Sequence, residues 1–307
     1  MIFVTGASGN VGKEIVQHLL RRQASFRVGV RSAETGVTPA GVNTVRFDFL
    51  DAGTYRSAVE GCDAVFLLRP PAISNTRKTL NVFLDVARQC GVSQVVFISV
   101  AGAGNNPIVP HHAVEQHLRA GPAGWTILRP GFFSQNVGGA YRDDIRWDDR
   151  IYLPAGSARV AFVDTRDIAE VAVNALMAPA AHLGKTYTLS GPEAISFQEI
   201  ASMLTEELGR HIRYQPASIA AYFLHLLRRR MPVMQILVES ILHLSLRFGQ
   251  TQAVDKSLSN LLGHPPGSMR DYIREHRSLW LRLQPTNLSQ LSTPAFPELQ
   301  NANKGDL

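Results

Sequence analysis

The chain has 307 residues, of which 45% are hydrophobic and 18% charged, and its formal net charge is +6. This ordinary globular composition excludes wholesale disorder and fibrous repeats, and the length suits one large domain with a smaller one. The basic residues are scattered without interleaved aromatic residues, and no apolar run reaches the roughly 18 residues of a membrane span, so we expect neither a nucleic-acid partner nor a spanning helix.

The cysteine content and the first residues indicate the cellular compartment. Cys62 and Cys90 have no metal-ligand spacing and are too few for a disulfide framework, so both are expected to be small core residues rather than reactive thiols. No secretory leader precedes the first apolar run. We therefore expect a cytoplasmic protein without a metal site.

Short apolar, β-branched runs alternate with helical patterns in the first half of the chain. The predicted strands are residues 2–5, 26–30, 44–47, 64–68, 95–99 and 126–128, and two clear helices are residues 11–22 and 80–89. Such alternation indicates right-handed βαβ units. The predicted fold class is α/β, a doubly wound parallel sheet of the Rossmann type over residues 1–130.

A GxxGxxG motif lies between the first predicted strand and the first predicted helix. Gly6 allows a tight turn, Gly9 lets backbone approach a pyrophosphate, and Gly12 lets the helix pack closely on the strand. The helix N-terminus adds free N–H groups and partial positive charge. This context favours a dinucleotide site over a ligand-free turn. The residues expected to hold the phosphates are Gly6, Ser8, Gly9, Asn10, Val11 and Gly12.

Two further residues bear on the choice of dinucleotide. Arg31 ends the second strand, where folds specific for NAD usually carry an acidic residue. A guanidinium there can bind a 2′-phosphate, which favours NADP(H) over NAD(H), although a solvated surface arginine is the alternative. Asp48 follows the third strand and is predicted either to meet the adenine or simply to cap a turn.

The regular alternation breaks after Pro130. We expect a loop at 143–154, a strand at 159–163, a helix at 167–177 and a strand at 185–190. These segments are predicted to leave the sheet and build a lid, although strands within about 159–190 are also expected to return to the sheet. Residues 196–208 form a helix opened by a capping box at Ser196 and Glu199. Residues 219–248 predict two apolar helices that meet at Pro232 and cap a substrate cavity, with a buried core or a dimer interface as alternatives.

These patterns give a domain organisation. Residues 131–283 are predicted to form a mixed, mostly helical substrate-binding region, and residues 284–307 a disordered tail, because the tail is rich in Gln, Asn, Ser, Thr and Pro without periodicity.

The motifs together resemble one family. They are TGASGNVG at 5–12, GVRS at 29–32, VVFIS at 95–99, HHAVEQHL at 111–118 and WTILRPGFFSQN at 125–136. Over residues 2–273 the chain is similar to the NmrA-like group of atypical short-chain dehydrogenases/reductases, which includes NADPH-quinone reductases and triphenylmethane-type dye reductases. The resemblance implies fold and cofactor more firmly than substrate.

The sequence departs from typical members at the catalytic pair. Short-chain dehydrogenases use Tyr-xxx-Lys, but alignment on Glu115 places His111 at the lysine position and Pro107 at the tyrosine position. His111 is then expected to hydrogen-bond the nicotinamide ribose or donate a proton, unless it is an exposed loop histidine. Ser99 approximates the family's catalytic serine, with capping of a turn as its alternative.

The remaining candidates border the nicotinamide. The resemblance places Pro130 beside it, with Phe133 as an apolar wall or a core residue and Asn136 as a polar contact, while Leu68 offers backbone to the cofactor. The sequence thus predicts an NADPH-dependent reductase that passes hydride to a quinone-like, conjugated carbonyl or iminium acceptor of apolar or aromatic character. A non-catalytic NADP(H) sensor is the alternative, and a homodimer is left open.

Overall fold

The computed structural model describes residues 1–32, 39, 41–249 and 251–282. The predicted tail 284–307 lies outside the described residues. The strands are β1 (Ile2–Val4), β2 (Phe26–Val30), β3 (Thr44–Arg46), β4 (Ala64–Leu68), β5 (Gln94–Ile98), β6 (Gly124–Pro130), β7 (Arg150–Leu153), β8 (Arg159–Val160), β9 (Lys185–Leu189), β10 (Ile195–Ser196) and β11 (Arg213–Pro216). The helices are α1 (Asn10–Arg21), α2 (Tyr55–Val59), α3 (Leu80–Gln89), α4 (Pro110–Ala120), α5 (Gln135–Gly138), α6 (Arg142–Asp148), α7 (Thr165–Met177), α8 (Pro179–His182), α9 (Phe197–Leu208), α10 (Ile219–Arg228), α11 (Val233–Ser245), α12 (Ser257–Leu262) and α13 (Met269–Glu275).

Seven parallel strands form the central sheet in the order β3-β2-β1-β4-β5-β6-β9. Side chains of successive strand residues point to opposite faces, so Ile2 and Val4 pack with α1 and α7, whereas Phe3 packs with α2, α3 and α4. Burial on both faces explains why these strands are continuous apolar runs. The predicted Rossmann-type, doubly wound sheet is confirmed.

The predicted loop at 143–154 is wrong. These residues form α6 and β7, and β7 pairs in parallel with β11. The run of acidic residues has the composition of a loop, but Asp144 is buried and accepts hydrogen bonds from His225 and Arg229. Partners more than 80 residues away therefore override the local composition.

The predicted return of strands to the sheet over about 159–190 is present in β9, which pairs with β6 at the edge of the sheet. Helix α7, predicted as part of a lid, instead packs against α1 on one face of the sheet. The predicted strand 159–163 is shortened to β8, which pairs antiparallel with β10. The apolar, β-branched composition of these segments is that of sheet-layer elements, which explains the difference.

A third apolar cluster, separate from those on the two faces of the sheet, forms the core of the C-terminal region. It joins α6, β7, α9, α10, α11 and α13, and Trp280 is its largest fully buried side chain. Helix α9 opens with the predicted capping box of Ser196 and Glu199. The predicted pair α10 and α11 is present, with Pro232 as the N-cap of α11. This region therefore has its own core beside the sheet.

Candidate functional site

The strand order of the sheet reverses between β1 and β4. Strands β2 and β3 follow β1 on one side, whereas β4, β5 and β6 continue on the other. Ligands of open α/β sheets bind outside the carboxyl ends of the strands at such a reversal. Residues 6–12 follow β1, and Arg69 directly follows β4. Both segments therefore border this crevice.

Gly6 and Gly12 are required by the fold itself. Gly6 has a φ of +68°, and a Cβ there would lie 2.8 Å from Leu68 Cδ2. A Cβ on Gly12 would lie 2.1 Å from the carbonyl oxygen of Gly6. The first glycine makes the turn and the second lets α1 pack against it, as their spacing predicted. A side chain at either position would disrupt the loop whether or not a ligand binds.

Gly9 differs from its two neighbours. Its φ of −80° and ψ of 171° suit any residue, and an added Cβ would meet no atom closer than Gly6 O at 3.5 Å. Folding therefore places no demand for glycine here. A ligand whose phosphates approach the backbone would fill the space that a Cβ occupies, which accounts for the residue.

The first turn of α1 offers further donors. The helix starts without a side-chain cap and without an acidic residue in its first turn. Ser8 and Asn10 are exposed, and neither side chain hydrogen-bonds any described residue. Val11 is buried, so only its backbone faces outward. Free N–H groups, a hydroxyl and an amide at a helix N-terminus fit a pyrophosphate.

Arg31 and Asp48 lie beyond the ends of β2 and β3. Arg31 is exposed, and no residue in the described part of the chain forms an ion pair or hydrogen bond with it. The Asp48 carboxylate accepts a hydrogen bond of 2.9 Å from Leu50 N, and its backbone N–H donates to Thr54 Oγ1. Asp48 thus caps a turn, which is one of the two roles that the sequence predicted for it. The Arg31 side chain stays free for a ligand.

Leu68 and Arg69 form the other wall of the crevice. The Leu68 side chain covers Gly6, and its N–H donates to Thr5 Oγ1 at 2.8 Å. The Arg69 Nη1 donates to three carbonyl oxygens of residues 70, 71 and 73, and its Nε donates to His111 Nε2 at 3.2 Å. Within the described ranges no carboxylate reaches Arg69, and burial lowers the pKa of its guanidinium.

His111 is a buried residue in the first turn of α4, so the exposed-loop alternative is wrong. Burial and then the charge of Arg69 lower its pKa to about 3, and it is neutral near neutral pH. The Arg69 Nε can only donate, so we assign the imidazole proton to Nδ1. That Nδ1 is buried and has no partner among the described residues.

Ser99 belongs to a separate buried network. Its Oγ donates to Glu115 Oε1 at 2.6 Å, and Arg129 donates to both carboxylate oxygens, with Nε 2.9 Å from Oε1. Burial raises the pKa of Glu115, but the hydrogen bonds from Arg129 and Ser99 more than offset this and hold it below its ordinary value. The Ser99 proton is therefore committed to Glu115.

The segment after β6 carries the remaining candidates. Pro130 is the last residue of β6 and is buried. Phe133 is half-buried against the apolar cluster between the sheet and helices α1 and α7. Its backbone forms an isolated parallel β-bridge with Val163. The Asn136 side chain is half-buried and makes no hydrogen bond with any residue the structure describes. Phe133 thus packs partly in the core, and Asn136 retains free hydrogen-bonding groups.

The guanidinium of Arg69 is the feature that sequence reasoning missed. The sequence predicted a cofactor contact for the backbone at Leu68 and gave no role to the Arg69 side chain. An arginine directly after a buried strand that borders the reversal was the available signal, because such strand ends meet the ligand.

Comparisons with known proteins bear on this site. The sequence pattern of an NAD(P)H-binding family matches residues 6–179, more than half of the chain. The NAD(P)H azoreductase of Xenophilus azovorans is 32% identical over 220 residues, which cover 70% of this chain and 76% of that protein. The agroclavine dehydrogenase of Claviceps fusiformis is 30% identical over 295 residues, with 91% and 98% covered.

A solved structure shares the whole fold. The NADPH-dependent quinone oxidoreductase of Escherichia coli, complexed with NADPH, superimposes with a TM-score of 0.80. The match covers 90% of this chain and 99% of that one at 23% identity. The arrangement of sheet and C-terminal region is thus common to both proteins.

Proposed function

The chain belongs to the NAD(P)H-binding family of atypical short-chain dehydrogenases/reductases, and from that membership we propose that it is an NADPH-dependent reductase of small conjugated acceptors. The observation that carries the proposal is the half-buried Arg69, a cation without a carboxylate partner in the described structure, beside the glycine loop. A reductase that delivers hydride creates negative charge on its acceptor, and Arg69 is placed to stabilise that charge.

The glycine loop and Arg31 hold the cofactor in this proposal. Residues 6–12 bind the pyrophosphate, Leu68 and Pro130 offer backbone, and the exposed Arg31 binds the 2′-phosphate that distinguishes NADPH from NADH. When bound, the cofactor supplies the hydride, and the protein supplies orientation and electrostatics.

The acceptor is a quinone-like, conjugated carbonyl, azo or iminium compound. Quinone and azo groups, which are named for two similar proteins, share a conjugated system that gains negative charge when hydride arrives. Phe133 offers an apolar wall and Asn136 an unused amide. An acceptor of this class needs a cation near the developing charge more than a strong acid.

The proton then comes from water. His111 is neutral, and its Nε2 accepts from Arg69, so its role is to orient the Arg69 guanidinium. Ser99 orients Glu115 rather than the acceptor. We accordingly treat His111 and Ser99 as positioning residues and Arg69 as the residue that faces the acceptor.

The test combines binding and turnover in the full chain. Calorimetric titration measures the Kd of NADPH, and loss of NADPH absorbance is followed with a panel of quinones, azo dyes and conjugated carbonyls. The proposal predicts turnover with at least one acceptor class and tighter binding of NADPH than of NADH. Tight NADPH binding without turnover on any of these acceptors would contradict it.

That contrary outcome is what the second candidate predicts, a sensor that binds NADP(H) without chemistry. The observation that favours it is the absence, at this crevice in the described structure, of a side chain ready to donate a proton, since Ser99 donates to Glu115 and the low pKa of His111 keeps its imidazole neutral. A sensor also requires that NADP⁺ and NADPH bind with different affinities, because a ligand shifts a conformational equilibrium only through differential affinity.

A further inference from the structure

Helices α10 and α11 carry an unusually apolar outer surface. Of the nineteen large apolar side chains that are exposed in the described structure, ten lie within residues 219–248. We call this surface the hairpin face and represent it by six residues along its length. They are Leu224, Leu227, Met234, Val238, Ile241 and Phe248.

The polarity of α11 is the reverse of that of an ordinary surface helix. Ser240 and His243 point inward with Ile236, whereas Met234 is 72% exposed and Ile241 67% exposed. Surface helices normally turn their apolar stripe toward the core. Contiguous apolar patches on a soluble protein mark an interaction site. The hairpin face therefore lacks the partner that its composition requires.

The unpaired charges beside this face are basic. Arg228 ends α10 and Arg230 lies in the turn before α11; both are exposed, and neither side chain forms an ion pair or hydrogen bond with a described residue. The charge of Arg229 is offset by Asp144 and Asp148 of α6, which form ion pairs with its guanidinium. The one acidic residue within 219–248 is Glu239, which is largely buried. Free positive charge at the end of an apolar face favours an anionic partner.

The lengths of α10 and α11 limit the ways in which this surface can contact an anionic partner. Helices α10 and α11 have 10 and 13 residues, and no helix in the described part of the chain is long and apolar enough to cross a membrane. A short apolar helix pair with adjoining arginines suits the plane of a lipid interface, where apolar side chains enter the acyl boundary and cations meet the headgroups.

We propose that the hairpin face lies on the surface of an anionic lipid bilayer. A second copy of the chain is the less suitable occupant, because a twofold interface places the same surface against itself. Two hairpins with unpaired arginines and no exposed acidic residue would then face each other without complementary charge. A bilayer with acidic headgroups supplies both the apolar layer and the negative charge. This inference does not depend on the reductase activity.

Vesicle co-sedimentation of the full chain tests the proposal. Vesicles of phosphatidylcholine mixed equally with phosphatidylglycerol should bind the protein, and vesicles of phosphatidylcholine alone should bind it at least tenfold more weakly. The variant Met234→Glu/Ile241→Glu should abolish binding without unfolding, because both side chains are exposed. The variant Arg228→Gln/Arg230→Gln should weaken binding about 25-fold, since each arginine near an acidic surface contributes about fivefold.

Met177→Glu is the matched control, because Met177 is an exposed methionine at the end of α7, outside the hairpin. It should bind vesicles like the wild type. Sedimentation velocity without lipid tests the alternative occupant, a second copy of the chain, because it measures whether the protein is a dimer. A wild-type dimer that Met234→Glu/Ile241→Glu converts to monomers, together with no vesicle binding, would overturn the proposal. Equal binding to neutral and acidic vesicles, or a monomer that binds neither, would also overturn it.

Discussion

Arg129 and Arg69 bring two guanidinium groups to the carboxyl edge of the same sheet, with different partners. Arg129, near the end of β6, donates to both oxygens of the fully buried Glu115. Arg69, after β4, meets three carbonyl oxygens and the neutral His111. Hydrogen bonds to Glu115 raise the pKa of Arg129, whereas burial lowers the pKa of Arg69.

This difference separates a structural group from a candidate functional group. A half-buried cation that is paired with a carboxylate is satisfied within the fold, but one held only by neutral groups keeps its charge for a ligand. Gly12 and Gly9 show the same contrast in the glycine loop, since the fold requires only the first. Groups that the fold does not explain are therefore the first to examine for function.

Removing the carboxylate should have the largest effect on stability. Glu115→Gln leaves Arg129 without its counter-charge, and breaking a buried pair in this way should lower the free energy of unfolding by about 3 kcal/mol. Urea denaturation measures this change in the free energy of unfolding. Asp85→Asn is the matched control, because Asp85 is half-exposed in its ion pair with Arg88, and its loss should stay within about 1 kcal/mol. Equal losses in both variants would refute the structural role of Glu115.

Removing the unpaired guanidinium should affect turnover instead. Arg69→Met should lower kcat about 100-fold, the usual cost of one lost donor to a developing negative charge, while the Kd of NADPH changes little. Steady-state kinetics and calorimetry separate these quantities. Arg69→Lys keeps the charge and should recover part of the rate. A kcat within twofold of the wild type in Arg69→Met would remove Arg69 from the mechanism.

The imidazole beside Arg69 should make stability depend on pH. The pKa of His111 is about 3 in the folded chain and near 6.5 when unfolded, so the unfolded state binds more protons and stability falls as pH drops from 6.5 toward 3. Between pH 7 and pH 5 this amounts to about 2 kcal/mol. The free energy of unfolding of His111→Asn should therefore fall by about 2 kcal/mol less than that of the wild type between pH 7 and pH 5. Urea denaturation midpoints at the two pH values measure this difference. An unchanged pH dependence would show that His111 is not held neutral.

Arg31 extends the comparison to an exposed cation and should give the smallest effect. Arg31→Ser should weaken NADPH relative to NADH by about tenfold, because one charge-assisted contact to the 2′-phosphate is lost at an exposed site. Calorimetric titration of both nucleotides measures the ratio. Arg274→Ser, which removes an exposed arginine of α13, should leave the ratio unchanged. Equal ratios in all three proteins would argue against Arg31 as the 2′-phosphate ligand.

The parts of the molecule that the sequence predicted depend on local patterns. The six N-terminal strands, the glycine loop and the capping box of α9 each lie within a few consecutive residues, where periodicity and turn chemistry act directly. The Arg69–His111 contact spans 42 positions, and no short window contains it. Asp144 and its partners are similarly distant, which is why the acidic run resembled a loop.

The most direct test of the dinucleotide crevice is calorimetric titration of NADPH into the wild type and Gly9→Val, with the thermal unfolding midpoint of each. Because the fold leaves room for a Cβ at Gly9, the variant should unfold at the wild-type temperature yet lose NADPH binding by at least about 100-fold. Equal affinity in a fully folded Gly9→Val would contradict binding of the pyrophosphate against this loop.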